Sequence, residues 1–227
     1  MKNLLFCLVV LFAASMTSCS SNSTPNENTA EGKAVKFVKK QLKKNGKLLD
    51  YQIVNGQLPV EIMADEFKAY RDAVFKARLD YRACQVRGLK AAMEQNIAKI
   101  QSCQELVKDK VAELSKAQAD IEHVIVLATL EEKGRAGKFQ SHLIAAFNPE
   151  TLELEKWLPI TIPVKNNAIM IVNALNNSLL EADDNQDMDS LAAKTTDPVV
   201  QFILKSTPKY AGHSYLHLSF KKSTRVK

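Results

Sequence analysis

The stretch "YRACQVRGLKAAMEQ", residues 81–95, contains the one glycine in a run of helix-favouring sequence from residue 65 to residue 121. That run lacks proline and is rich in Ala, Lys, Glu and Gln, which favours helix throughout. A single unbroken helix would be about 85 Å long, too long for the strands before and after it to share one small sheet. We therefore predict an antiparallel helical hairpin that turns near Arg87–Gly88, because glycine readily ends a helix in the left-handed conformation.

Two apolar seams at helical spacing support this fold-back. They are formed by Phe67, Tyr70, Val74, Ala77, Tyr81 and Cys84, and by Met93, Ile97, Ile100, Val107, Val111, Leu114 and Ile121. In the antiparallel register that packs the two seams against each other, Cys84 lies opposite Lys90 and Cys103 lies opposite Arg71. The two cysteines are then about 20 Å apart along the helices, so we predict free thiols or bridges between molecules. The hairpin is either a packing element or an exposed interaction arm.

Strand patterns lie on both sides of the helical run. "KLLDYQIVNGQLPVEI", residues 47–62, predicts a β-hairpin with Asn55–Gly56 in a type I′ turn, and Pro59 marks its second strand as an edge or bulged strand. Further strands are predicted at 123–130, 139–147, 152–157 and 213–221, and further helices at 33–47, 165–181 and 197–206.

These elements predict an α+β fold, in which an antiparallel sheet carries a packed N-terminal helix and a long inserted helical hairpin. The element order resembles cystatin-like and NTF2-like layouts, a likeness of fold that implies no activity. We predict a single domain at 33–227, with the helical insertion at 65–121.

The N-terminus has the organisation of an export signal. A basic start precedes the apolar run Leu4–Ala14, which is too short to span a bilayer. Met16-Thr17-Ser18-Cys19 resembles the lipobox of bacterial lipoprotein signal peptides, with Met16 where leucine is usual. The resemblance implies that residues 1–18 are removed, that Cys19 carries lipid and that residues 19–32 form a flexible tether. The alternative is an ordinary signal peptide in which Cys19 is incidental.

The lipoprotein resemblance also predicts a location. Ser20, directly after the cysteine, resembles the sorting signal for the outer membrane, so we expect a lipid anchor in the envelope of a Gram-negative bacterium, at the outer rather than the inner membrane. The formal net charge of +6 is spread along the chain. We expect no nucleic-acid partner, because an exported protein rarely meets one.

A basic amphipathic segment follows the tether. Lys36, Lys40, Lys43 and Lys47 fall at helical spacing beside an apolar stripe. These lysines either form a solvated face or contact anionic headgroups near the anchor.

The sequence carries no recognisable signature of cofactor or catalytic chemistry. Each glycine has a turn or helix-end role, which leaves none for a phosphate-binding loop. The acidic stretch from Asp183 to Asp189 begins like an EF-hand loop, but Met188 and Lys194 occupy the positions that need Gly and Glu. We therefore predict no metal site and no cofactor.

Histidines provide the remaining candidate chemistry. His142, His213 and His217 fall in predicted strands, where half-exposed histidines are commoner than metal ligands. The leading hypothesis is a lipid-anchored, non-enzymatic module that binds an envelope protein or polymer. The alternative is an envelope hydrolase with a sheet-lined pocket and one of these histidines as base.

Overall fold

The computed structural model describes residues 26–42, 46–134, 137–182 and 185–208. Its helices are α1 (Ala30–Leu42), α2 (Lys68–Val86), α3 (Lys90–Ala117), α4 (Ile162–Leu175), α5 (Met188–Ala192) and α6 (Pro198–Lys205). Its strands are β1 (Gly46–Gly56), β2 (His123–Gly134), β3 (Gly137–Phe147) and β4 (Leu154–Pro159). The predicted α+β class is confirmed.

The four strands form one antiparallel sheet in the order β1-β2-β3-β4. Val126 in β2 pairs with Ile53 in β1 and with Ala145 in β3, and Ala145 pairs in turn with Trp157 in β4. Neighbouring residues of β2 point to opposite faces, yet Val124 to Ala128 are all buried. Both faces of the sheet must therefore be covered.

Helix α1 covers one face of the sheet. Val35, Val38 and Leu42 are buried in one cluster with the even-numbered core residues of β2, and the rings of Phe37 and Phe147 meet edge to face at 5.6 Å. This packing confirms the predicted N-terminal helix on the sheet. The Trp157 side chain is partly buried at the edge of the same cluster.

Helices α4, α5 and α6 cover the other face. Ile125, Leu127 and Ile144 of the sheet share a core cluster with these helices. The predicted start of α6 is confirmed, because Asp197 caps the helix by accepting hydrogen bonds from the N–H groups of Val199 and Val200. Pro198 occupies the first turn, where its missing N–H costs nothing.

The helical hairpin is confirmed, with its turn at Arg87–Gly88. Gly88 has a φ of 68°, the left-handed conformation expected of a glycine that ends a helix. Helices α2 and α3 pack on α4, where Phe67, Val107 and Ile171 belong to one buried cluster. The domain thus has four layers: α1, the sheet, the helices α4 to α6, and the hairpin.

The register of the hairpin differs in detail from the prediction. The amide nitrogen of Asn96 lies 3.7 Å from the sulfur of Cys84, so Cys84 faces residue 96 rather than Lys90. The prediction that Cys84 and Cys103 do not bond to each other is confirmed, because both are free within the chain. Burial raises the pKa of the Cys103 thiol.

The predicted β-hairpin at 47–62 is wrong. The chain does not turn back at Asn55–Gly56. These two residues are the last of β1, and Asn55 pairs with Val124 of β2. Pro59 precedes a short 3₁₀ turn, Val60–Ile62, whose side chains are buried. The apolar alternation after Gly56 therefore reflects a buried turn and not a second strand.

The N-terminal boundaries also need correction. Helix α1 starts at Ala30, inside the predicted tether of residues 19–32, and the N–H of Gly32 donates to the hydroxyl of Thr29. A Cβ at residue 32 would collide with the backbone of Asn26, so glycine permits the close approach of the segment that precedes the helix. The helix predicted at 165–181 lies at 162–175, and the strand predicted at 213–221 lies outside the described residues. Within the described ranges, none of the helices is long and apolar enough to cross a bilayer.

Candidate functional site

The outward face of α2 carries a row of exposed apolar side chains. Phe75, Leu79 and Val86 are 64%, 49% and 89% exposed. At 3.6 residues per turn, their spacings of four and seven place them within an arc of about 40° on the helix. We call these three residues the outer α2 stripe.

The outer α2 stripe lies nearly opposite the buried face of the same helix. Val74 and Ala77 are 5% and 6% exposed and pack toward α3 and α4. A surface helix normally presents charged and polar residues to solvent on the face opposite its core stripe. The solvent side of α2 begins with an exposed ion pair between Lys68 and Asp72, but from Phe75 onward it carries apolar side chains, which is the pattern of a helix with a second packing partner.

The tip of the hairpin extends this apolar surface. Leu89, directly after the turn, is 49% exposed and follows the highly exposed Val86. At 100° per residue, Arg82 and Arg78 lie about 20° and 60° from Phe75, on the side of the stripe away from Leu79. Both arginines are half-buried, and they give this side of the stripe positive charge. A complementary partner surface would be apolar with an acidic edge.

Helix α1 presents a second distinctive surface. All of its fully exposed positions are lysines, namely Lys33, Lys36, Lys39 and Lys40, which we call the α1 lysine face. Lys36 forms an exposed ion pair of 2.7 Å with Glu27, and this partner lowers the pKa of the Glu27 carboxyl. The ammonium of Lys39 lies 5.7 Å from the centre of the Tyr51 ring.

This face differs in membership from the four lysines singled out in the sequence. Lys36 and Lys40 belong to it, whereas Lys47 lies in β1, because the helix ends at Leu42 and the strand begins at Gly46. Lys43 is outside the described residues, as is the candidate lipidation site Cys19. Lys33 and Lys39 lie on the two sides of the predicted row, because the exposed face of α1 is wider than that row.

His142, the described member of the candidate histidines, is not open to solvent. It is 8% exposed, its ring packs edge-on against Phe202, and its Nδ1 accepts a hydrogen bond of 3.3 Å from the Thr207 N–H. Burial lowers its pKa, and the positive charge of Lys165 lowers it further. His213 and His217 lie outside the described residues. The geometry of His142 is that of a core histidine.

A histidine–carboxylate pair that sequence reasoning missed lies at the start of β2. His123 Nε2 and Glu155 Oε2 are 2.8 Å apart, and Asn148 donates to the other oxygen of Glu155 at 3.1 Å. His123 is 7% exposed. Strand pairing brings these residues together from separate parts of the chain, and no local motif signals the pair.

The acidic loop before α5 has a structural explanation. The carboxylate of Asp187 caps α5 by accepting hydrogen bonds from the backbone N–H groups of Asp189 and Ser190. The hydroxyl of Ser190 also donates to this carboxylate, at 2.6 Å, and it lowers the pKa of Asp187 most, followed by the two backbone N–H groups. Across the ranges that the structure describes, no three His, Cys, Asp or Glu side chains form a cluster that could hold a metal ion.

The chain matches no protein-family model, no curated protein and no solved structure.

Proposed function

We propose that this protein is a lipid-anchored, non-enzymatic module of the bacterial cell envelope that binds a partner protein through the outer α2 stripe. The observation that carries the proposal is the row of Phe75, Leu79 and Val86 on the solvent side of a helix whose opposite side is already packed. Helix faces of this kind dock against apolar surfaces of other proteins.

The order of the layers supports a tethered arrangement. The lipobox-like segment and the tether precede α1, and α1 packs on the face of the sheet that is turned away from the hairpin. The α1 lysine face and the outer α2 stripe are therefore separated by the thickness of the domain. Lysines next to an anionic bilayer contribute about 1 kcal/mol each. With the lysine face on the headgroups, the stripe points away from the membrane.

The stripe can contribute appreciably to binding. Full burial of a Val, Leu or Phe side chain stabilises by roughly 1.5–3 kcal/mol. Scaled by the exposed fractions of Phe75, Leu79 and Val86, the gain on docking is about 4 kcal/mol, or roughly a thousandfold in affinity. An acidic rim on the partner would add attraction to Arg78 and Arg82.

The hydrolase alternative has one observation in its favour, the His123–Glu155 pair. A carboxylate that accepts from one imidazole nitrogen leaves the other nitrogen free to act as a base. Nδ1 of His123 has no hydrogen-bond partner among the described residues, but it is buried. Catalysis at this pair would require a substrate to reach a side chain that is 7% exposed.

Co-isolation from native envelopes tests the proposal. The wild-type chain and the triple variant Phe75→Gln, Leu79→Gln, Val86→Gln are solubilised in mild detergent and purified through the same tag. Glutamine favours helix and leaves the core face of α2 intact. We expect a stoichiometric partner with the wild type and its loss with the variant. A matched triple variant on the polar side of α2, Ala73→Gln, Lys76→Gln, Asp80→Gln, keeps the partner. Equal recovery with both variants would contradict the proposal.

A further inference from the structure

A small cleft opens between the segment that follows β1 and the helices α3, α4 and α6. Its volume is about 240 Å³, which is below the roughly 300–1,000 Å³ of pockets for drug-sized ligands. Leu58, Val111, Leu175 and Val200 give it apolar walls. The space is suited to a small ligand or to one long side chain.

Two carboxylates line this cleft. Glu61 lies in the 3₁₀ turn and is 7% exposed, and its carboxylate accepts a hydrogen bond from its own backbone amide. Asp197, the cap of α6, uses Oδ1 for both capping bonds, at 2.7 Å from Val199 N and 3.1 Å from Val200 N. Within the described residues, neither Asp197 Oδ2 nor Glu61 has a cationic partner.

The two carboxyl groups of the cleft have raised pKa values. Burial is the main cause that raises the pKa of Glu61 to about 7, and the nearby charge of Asp197 contributes to this rise. Burial also raises the pKa of Asp197. Among the described residues, those that line the cleft include no Lys, Arg or His.

The charged group that approaches from α2 does not enter the cleft. Arg71 donates to the side-chain oxygen of Asn167 and, at 3.3 Å, to the carbonyl of Ala64. Asn167 in turn donates to the backbone carbonyl of Glu61 at 3.4 Å. The guanidinium therefore donates its hydrogen bonds to a backbone and an amide oxygen, and it forms no ion pair with the Glu61 carboxylate.

We propose that the cleft binds a primary alkylammonium group, with the ammonium held between Glu61 and Asp197 and the alkyl chain lying along the walls formed by Leu58, Leu175 and Val200. An ammonium has three donors, which suit Glu61, Oδ2 of Asp197 and the Ser115 hydroxyl on the wall formed by α3. Calcium needs six to eight oxygen ligands, whereas much of this cleft is apolar. A free amine and the lysine side chain of a partner share the required chemistry.

Calorimetric titration of the full-length chain in detergent at pH 8 tests the site with n-pentylamine, n-pentanol and calcium chloride as probes. We expect n-pentylamine to bind in the millimolar range and the other two probes not to bind. Glu61→Gln and Asp197→Asn should each weaken pentylamine at least tenfold, and Asn can still cap α6. The exposed control Glu150→Gln should bind like the wild type. Nα-acetyl-lysine methylamide distinguishes a free amine from the lysine side chain of a partner, since it binds only if the cleft accepts a lysine side chain.

Three results would overturn the proposal. Pentanol binding as tightly as pentylamine would make this an apolar pocket without selection for charge. Calcium binding more tightly than the amine would make it a metal site. Unchanged pentylamine affinity in a folded Glu61→Gln variant, with folding verified by circular dichroism, would place the amine elsewhere. The proposal also predicts weaker amine binding at pH 5.5, because Glu61 is protonated there and no longer attracts the ammonium. Asp197 is the other acidic group that faces Glu61. Arg71 approaches from α2, but its guanidinium is bound to Asn167.

Discussion

Replacing Glu61 by Gln should make the protein more stable at high pH and reduce the dependence of its stability on pH. Glu61 is a carboxyl group buried at 7% exposure beside Asp197, without a cationic partner among the described residues. Ionising such a group costs free energy, because burial removes the water that would stabilise the charge. Glutamine has nearly the same shape as the protonated glutamic acid and does not ionise.

The magnitude follows from the two pKa values. The ordinary value for this carboxyl group is 4.5, and the folded protein raises the pKa to about 7. The folded state therefore binds more protons than the unfolded state between these values, and the free energy of unfolding falls as the pH rises through this window. The full difference amounts to about 3 kcal/mol, reached above pH 7. The raised pKa of Asp197 acts in the same direction.

Urea unfolding of the full-length chain in detergent, followed by circular dichroism at pH 5, 6, 7 and 8, measures this effect. The comparison is the difference between variant and wild type at each pH, because the exposed carboxyl groups with lowered pKa, such as Glu27 and Asp187, contribute equally to both proteins. We expect a difference of about 1 kcal/mol at pH 5 that grows toward about 3 kcal/mol at pH 8. A difference that does not change with pH, or a variant that is less stable at pH 8, would refute the reasoning.

Three further predictions concern the anchor, the α1 lysine face and the two sides of the hairpin. Cys19→Ala should leave the protein uncleaved or soluble on fractionation of the envelope, and a variant that is processed normally and stays with the membrane would contradict the lipoprotein assignment. Changing Lys33, Lys36, Lys39 and Lys40 to Glu should abolish salt-sensitive binding of the non-lipidated chain to anionic vesicles, whereas the same changes at Lys133, Lys138, Lys156 and Lys194 should have little effect. Phe67→Ala should lower the free energy of unfolding by about 3–5 kcal/mol in urea unfolding, because Phe67 is fully buried. Phe75→Ala should change it by about 0.5 kcal/mol or less, because Phe75 is exposed. Similar losses in the two variants would show that Phe75 also belongs to the core.

The parts of the fold that could be predicted from sequence depend on local signals. Gly88 interrupts a long helix-favouring run and predicts the end of α2. Asp197 and Pro198 form a typical helix start and predict the beginning of α6. Asn55–Gly56 has an equally strong local signal for a hairpin turn, yet β1 continues through it. There the pairing with β2, which is distant in sequence, outweighs the turn preference of two residues.

The candidate sites depend on packing that the sequence does not reveal. Phe75, Leu79 and Val86 are at helical spacing in the sequence, but a helix pattern alone does not say which apolar face α4 covers and which remains exposed. Glu61 and Asp197 are far apart in the chain, and only the meeting of the 3₁₀ turn with α6 makes them neighbours. Short-range patterns carry no information on such pairs.

Site-specific photocrosslinking in intact cells tests the central claim most directly. A photoreactive amino acid is placed in turn at positions 75, 79 and 86 of the outer α2 stripe and at positions 73, 76 and 80 on the polar side of the same helix. Our account predicts one crosslinked partner of constant mass from the first three positions and none from the other three. Crosslinks that are equally strong from both sides of α2, or that arise only from positions 73, 76 and 80, would contradict it.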